Sequence, residues 1–258
     1  MTGVRTTGLS VALGGQDIVH DISIEFAPGG IVGIIGPNGA GKSTFLKALL
    51  GLLPSRGTVA YGGVPLQEIG RSALARIASF LPQDREIAWP LSVENVVALG
   101  RIPYLAPMSG PTAADRAAVE RAMTLTDITQ FRSRTIATLS GGERARVLMA
   151  RVLAQETPVL IADEPIAALD PGHQITLLET LDALAKNGHT ILVSLHEIAL
   201  AARWCRRLVL LDRGRIAADG PPDKVLTPDI VRDVYGVRIH RAETDDGLLV
   251  QPVGRIRS

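Results

Sequence analysis

Short, mostly apolar runs punctuate this chain: Ile31–Ile35, Ala78–Leu81, Val159–Ala162, Thr190–Val193 and Leu208–Leu211. They are four or five residues long, rich in Val, Ile and Leu, and bounded by Gly, Pro or charged residues. Such runs predict strands of a parallel sheet buried on both faces. A different pattern precedes them. Leu9–Leu13 and Ile18–Phe26 alternate apolar with polar residues around Gly14-Gly15-Gln16-Asp17, which predicts an antiparallel pair with one buried face. Thr58–Tyr61 adds a short strand before the Gly62-Gly63 turn. From Ser92 to about Gln155 the spacing becomes helical and Ala-, Arg- and Glu-rich, broken by a loop at 103–111. Pro171 to Asn187 predicts a helix closed by Gly188. Asp212-Arg213-Gly214 predicts a hairpin turn, and the tail from Val237 to Val253 a strand pair around Asp245-Asp246-Gly247.

This order predicts an α/β fold: a core of mainly parallel sheet, an N-terminal antiparallel β-subdomain and an inserted helical subdomain. The expected boundaries are 1–84 and 158–240 for the core with its β-subdomain, 85–157 for the helical insertion and 241–258 for a C-terminal extension. The chain has 258 residues, enough for a full core of this kind. With 46% hydrophobic but only 3% aromatic residues, that core is aliphatic. A net charge of +1, from 27 basic and 26 acidic residues, gives no electrostatic reason to expect a nucleic-acid partner. One cysteine, Cys205, excludes an intrachain disulfide. The N-terminal residues lack the apolar stretch of a signal peptide, and no apolar run reaches the ~20 residues that span a bilayer. Work at a membrane would therefore require another chain to hold this one there.

The run Ile31–Ile35 leads into Gly36-Pro37-Asn38-Gly39-Ala40-Gly41-Lys42-Ser43-Thr44, which satisfies the phosphate-binding pattern G-x-x-x-x-G-K-[ST] between a strand and a helix. Its glycines let amide N–H groups turn toward phosphate oxygens, and the helix N-terminus adds its positive end. Lys42 reaches β- and γ-phosphates as a point charge, and Ser43 is placed to ligate Mg²⁺. Lysine choice supports this. The only lysines are Lys42, Lys47, Lys186 and Lys224 among 27 basic residues, so the loop holds one of the few compact ammonium groups in an arginine-rich chain.

Two further groupings add chemistry. In Leu139-Ser140-Gly141-Gly142-Glu143, Ser140 and Glu143 have the spacing of a capping box, so the segment reads as a well-capped helix start. The two glycines equally present amide N–H groups to an anion, and both readings stand at this stage. Val159–Ala162 then runs into Asp163-Glu164. There Asp163 would belong to the Mg²⁺ shell and Glu164 would act as general base on water. His196 closes the next strand, within reach of a γ-phosphate, and Gln83 ends another with an amide oxygen able to ligate Mg²⁺.

Together these residues resemble the ATPase subunit of ATP-binding cassette (ABC) transporters. Gly36–Thr44 matches Walker A, Gln83 the Q-loop, Ser140–Glu143 the signature, Asp163 and Glu164 Walker B with its glutamate, Asp170 the D-loop and His196 the H-loop. The resemblance implies ATP and Mg²⁺ as ligands, and a head-to-tail dimer whose signature residues reach the opposing subunit's ATP. It also implies two polytopic permease subunits, a periplasmic or lipoprotein substrate-binding protein, and a place on the cytoplasmic face of the membrane. Val97–Tyr104, with Gly100-Arg101-Ile102-Pro103-Tyr104, resembles importers of iron–siderophore, haem and cobalamin. The alternative is a non-transport ABC ATPase of DNA repair or translation, which the absence of a coiled-coil insertion or second cassette disfavours. Leu13 stands where the family usually carries an aromatic residue that stacks on adenine. Trp89, in Ile87–Leu91, reads either as a core residue or as the wall of a groove for a permease helix.

Overall fold

The computed structural model describes residues 2–84, 90–106, 108, 110–245 and 247–256. Trp89 and Asp246 lie outside the described residues. The central six-stranded sheet has the order β10-β9-β3-β8-β7-β6. Its strands are β3 (Ile31–Ile35), β6 (Ala78–Leu81), β7 (Val159–Asp163), β8 (Thr190–Ser194), β9 (Arg207–Asp212) and β10 (Arg215–Gly220). All neighbours are parallel except β9 and β10, the predicted hairpin. Every residue of β3, β7 and β8 is buried, because both faces of these strands are covered.

A four-stranded sheet of order β2-β1-β4-β5 covers one face, from β1 (Val4–Leu13), β2 (Gln16–Phe26), β4 (Arg56–Tyr61) and β5 (Val64–Pro65). The expected N-terminal strands are thus present but longer. Gly8, at φ 60°, sits at a register shift between Thr6 and Leu9, and β1 continues through it. A bulge of this kind interrupts the alternation that marks a strand in sequence. The turn shrinks to Gly14-Gly15, both at positive φ, as a tight hairpin requires.

Helix α1 (Lys42–Leu49) lies between the two sheets. Its Phe45, Leu46 and Leu49 are wholly buried in one cluster with Val4, Ile22 and Phe26 of the outer sheet and Ile34 and Ile161 of the inner one. At roughly 1.5–3 kcal/mol per buried large apolar side chain, these contacts fix the helix that follows the phosphate loop. The Phe26 and Phe45 rings lie 6.2 Å apart, and the Tyr61 hydroxyl donates to the Leu49 carbonyl at 2.9 Å.

After α2 (Arg71–Ile77) and β6, the chain enters the helical region: α3 (Val93–Ala98), a 3-10 segment at Leu99–Tyr104, α4 (Ala113–Leu125) and α5 (Gly141–Ala154). One continuous apolar cluster runs from these helices onto the second face of the sheet. The chain then alternates through α6 (Pro171–Lys186), α7 (Ile198–Trp204), α8 (Pro222–Val225) and α9 (Pro228–Tyr235) to a two-stranded hairpin, β11 (Val237–Thr244) and β12 (Gly247–Arg255). The hairpin packs on α7 and α9 and buries Val250 completely. Among the described residues no helix is long and apolar enough to cross a membrane.

Candidate functional site

The loop between β3 and α1 is built on glycine geometry. Gly36, Gly39 and Gly41 take φ values of 146°, 80° and 95°. A Cβ on Gly36 would stand 2.2 Å from the Leu211 carbonyl oxygen, so the loop lies directly on β9. Its outer side is braced by the β9–β10 turn, where the Gly214 amide donates to the Ala40 carbonyl at 3.0 Å. The sequence marked Gly214 only as a turn residue.

Lys42 folds under the loop. Its Nζ donates to the carbonyls of Gly36 at 2.8 Å and Pro37 at 3.1 Å. Burial pulls its ammonium below the ordinary lysine value, and the nearby Glu164 and Asp163 carboxylates oppose that shift.

The carboxyl ends of β7 and β8 supply the facing wall, where parallel sheets place their ligands. Asp163 and Ser194 are register partners on these strands. The Ser194 hydroxyl donates to Asp163 Oδ1 at 2.6 Å and accepts the Glu164 amide at 2.8 Å. Ser194 therefore sets both acidic residues at once, a role invisible in the sequence because its partners lie 31 and 30 positions away. Glu164 itself sits at φ 53°, a left-handed conformation costly for a side chain with a Cβ. Its Oε1 accepts Gln83 Nε2 at 2.8 Å and is paired with His196 Nε2.

Asp163 Oδ2 is buried and has no hydrogen-bond partner among the described residues. An orphaned carboxylate oxygen at a strand end is what a divalent cation or its water requires. Ser43 and Gln83 line the cleft together with Glu164, the residue after Asp163, and a carboxylate, a hydroxyl and an amide oxygen are the hard oxygen donors that fit Mg²⁺. A cleft of about 630 Å³ gathers Asn38 to Thr44, Gln83, Glu164 and His196, with Leu13 and Ile18 at its border. Its chemistry is a cationic, amide-lined loop facing a carboxylate.

Ser140, Gly141, Gly142 and Glu143 do not line this cleft. They start α5 with the expected capping box. The Ser140 hydroxyl accepts the Glu143 amide at 3.3 Å, and Glu143 Oε2 accepts the Ser140 amide at 2.7 Å. Those bonds from Ser140 hold the Glu143 carboxyl below its usual range. The amides of Gly141 and Gly142 take no partner among the described residues. The capping-box reading is therefore seen directly, and the cap uses the Ser140 and Glu143 amides but not those of Gly141 and Gly142. A Cβ on Gly142 would approach the Ala168 carbonyl at 3.1 Å, which places the start of α5 beside the turn leading to Asp170. Asp170 caps α6, accepting the His173 amide at 3.1 Å, and its Oδ2 lies 2.6 Å from His173 Nδ1.

The sequence matches the ABC transporter family model over residues 19–167. It is 43% identical over 235 residues to the cobalamin import ATP-binding protein BtuD of Halobacterium salinarum, covering 90% of this chain. The chain spans 58% of that relative's length. It is 45% identical over 244 residues to the hemin import ATP-binding protein HmuV of Bordetella pertussis, covering 91% of this chain and 92% of the relative. Among solved structures, an inward-facing metal-chelate type ABC transporter superposes with a TM-score of 0.84 at 22% identity, over 100% of this chain and 99% of the other. An ATP-binding subunit of an ABC transporter superposes at 0.76 with 28% identity, over 91% and 94%.

Proposed function

The chain belongs to the ABC transporter family, and from that premise we propose that it is the ATP-hydrolysing subunit of an importer for an iron chelate, haem or cobalamin. The observation that carries the catalytic part is the Glu164 carboxylate, held by Gln83 and His196 in the same cleft as Lys42. Residues 36–44 bind the phosphates through loop amides, the Lys42 ammonium and the α1 N-terminus. Glu164 takes the proton of the attacking water, and its left-handed backbone aims the carboxylate into the cleft. Gln83 donates to that carboxylate through Nε2, so its amide oxygen is the atom that would face the cation. His196 orients Glu164 through Nε2 at the γ-phosphate side of the cleft. Asp163, Ser43 and Gln83 would hold Mg²⁺, which when bound neutralises phosphate charge.

The unpartnered amides of Gly141 and Gly142 stand outside the cleft, and this supports a head-to-tail dimer. In it Ser140–Glu143 and Asp170 of one copy complete the ATP site of the other. ATP binding would close this dimer, and hydrolysis would reopen it. The helical region 85–157 would then transmit closure to two permease subunits at the cytoplasmic face of a membrane, served by a substrate-binding protein. The names of the relatives and the Val97–Tyr104 segment support metal-chelate, haem or cobalamin cargo.

Glu164→Gln tests the reading: it should bind ATP, hydrolyse it at least about a hundredfold more slowly, in the range of a lost general base, and elute as a dimer with Mg-ATP. A variant that stays monomeric and hydrolyses at the parent rate refutes it.

A further inference from the structure

The helical region contains a buried charge cluster that the phosphate chemistry does not use. Arg101 is 7% exposed, although arginine is almost never buried unless paired. Its Nε donates to Asp115 Oδ1 at 2.9 Å, and its Nη1 to the Ala154 carbonyl at 2.7 Å and Glu156 Oε2 at 3.2 Å. The guanidinium also lies 4.0 Å from the centre of the Tyr104 ring. The Tyr104 hydroxyl donates to the Gln155 carbonyl at 2.8 Å. Gly100 makes this approach possible, since a Cβ there would stand 2.2 Å from the Arg151 carbonyl oxygen.

These partners converge on the end of α5, where the chain returns from the helical region to β7. Glu156 takes φ 51° at that point, so the return is a sharp bend. Core contacts meet it there: Gln155 Nε2 donates to the Ala75 carbonyl of α2 at 2.6 Å, and Arg76 Nε to the Pro103 carbonyl at 2.7 Å. The segment 99–104 is thereby clasped to α4, to the end of α5 and to the core.

The geometry matters because α5 is a lever. It has 14 residues, with Ser140 at one end and this clasp at the other. At 1.5 Å per residue it is about 21 Å long, so a tilt of about 5° at the clasp displaces the Gly141 and Gly142 amides by about 2 Å. That is enough to break hydrogen bonds to an anion.

We propose that Arg101 is a positioning residue that fixes the angle of α5 to the core, and so sets how readily Ser140–Glu143 reach the nucleotide held by a second copy of this chain. This rests on the dimer reading above. It assigns the Gly100-Arg101…Tyr104 segment a role in closure that is separate from nucleotide binding by a single chain.

The test compares Arg101→Lys and Tyr104→Phe in the Glu164→Gln background. Lysine keeps the charge, but one ammonium cannot span Asp115, Ala154 and Glu156 as the planar fork does. Phenylalanine removes only the hydroxyl bond to Gln155. ATP binding to the monomer, measured by titration calorimetry at low protein concentration, should stay within about twofold of the parent. The protein concentration for half-dimerisation with Mg-ATP, measured by analytical ultracentrifugation, should rise roughly tenfold for Arg101→Lys, a shift of about 1.4 kcal/mol. It should rise less for Tyr104→Phe. Unchanged dimerisation in both variants overturns the proposal, as does a matched loss of monomer binding and dimerisation. If Arg101→Lys does not fold, the Tyr104→Phe result decides alone. A Glu164→Gln parent that never dimerises refutes the dimer reading and this proposal with it, whereas a dimerising parent with unaffected variants refutes only the proposal.

Discussion

Replacing Ser194 by alanine removes one hydroxyl from the interior and disturbs both acidic residues of the site. The hydroxyl donates to a buried carboxylate, and a hydrogen bond to a charged group contributes about 1.5–3 kcal/mol. It also accepts the Glu164 amide, and an orphaned buried donor costs about 1–3 kcal/mol. Glu164 is only partly buried and lines the open cleft, so the combined loss should fall near 2–4 kcal/mol rather than at the sum of the upper values. At roughly 2–4 °C per kcal/mol for a chain of this size, Tm should drop by about 5–15 °C. The effect on hydrolysis should be larger than stability alone explains. Glu164 holds a left-handed backbone costing about 1–3 kcal/mol, and the Ser194 bond is what anchors its amide there. Once freed, the carboxylate shifts, and a misplacement near 1 Å costs up to about a hundredfold in rate. Thermal melts and steady-state phosphate release check both numbers, with kcat expected to fall about ten- to a hundredfold and KM little changed. Ser194→Thr, which keeps the hydroxyl, should recover most of the activity if the extra methyl is accommodated. A Ser194→Ala chain with parental Tm and kcat would refute the reasoning.

Three other perturbations probe separate features. Leu13 and Ile18 give the edge of the cleft an aliphatic border, with no Phe, Tyr or Trp lining it among the described residues, so ATP and GTP should bind within roughly tenfold of each other. Leu13→Tyr should tighten both by up to ~1–3 kcal/mol of stacking, read by equilibrium binding, and strong ATP selectivity in the parent would contradict this. Gly100→Ala would force a Cβ against the Arg151 carbonyl, so urea denaturation should show a loss of about 3 kcal/mol, and an unchanged midpoint would remove the close-approach argument. Asp115 is pushed down to about 2, first by the Thr112 hydroxyl and amide and then by Arg101. Its folded value lies below its unfolded 3.8, so its stabilisation is present above about pH 4 and lost as pH falls toward 2. Melts across that window should fall more steeply for the parent than for Asp115→Asn, and equal slopes would refute the assignment.

What the sequence made legible was local. The fully buried strands β3, β7 and β8, the glycine loop and the Ser140–Glu143 capping box each rest on residues within a few positions of one another. The β9–β10 hairpin followed from Asp212-Arg213-Gly214 for the same reason. Long-range placements were not legible. Ser194 looks like the polar end of a strand until β7 and β8 are put in register, and Gly214 like any turn glycine until it meets Ala40. Arg101 is only one residue of a short motif until the fold brings it to Asp115, Ala154 and Glu156, which lie 14, 53 and 55 positions away. The start of β1 was missed because Gly8 breaks its alternation.

Mixing two inactive chains asks most directly whether each nucleotide site is shared between copies. Lys42→Ala removes the loop cation. Gly141→Asp places a carboxylate among the signature amides, and a Cβ there meets no atom within 4 Å, so the chain can fold. Each variant alone should hydrolyse almost no ATP. In an equal mixture, a mixed dimer pairs the intact loop of the Gly141→Asp chain with the intact signature of the Lys42→Ala chain. Activity should then return to about a quarter of the parental value, the share of sites that random pairing leaves complete. A mixture no more active than its separate components, or a Gly141→Asp chain with parental activity, would contradict a site built from two copies.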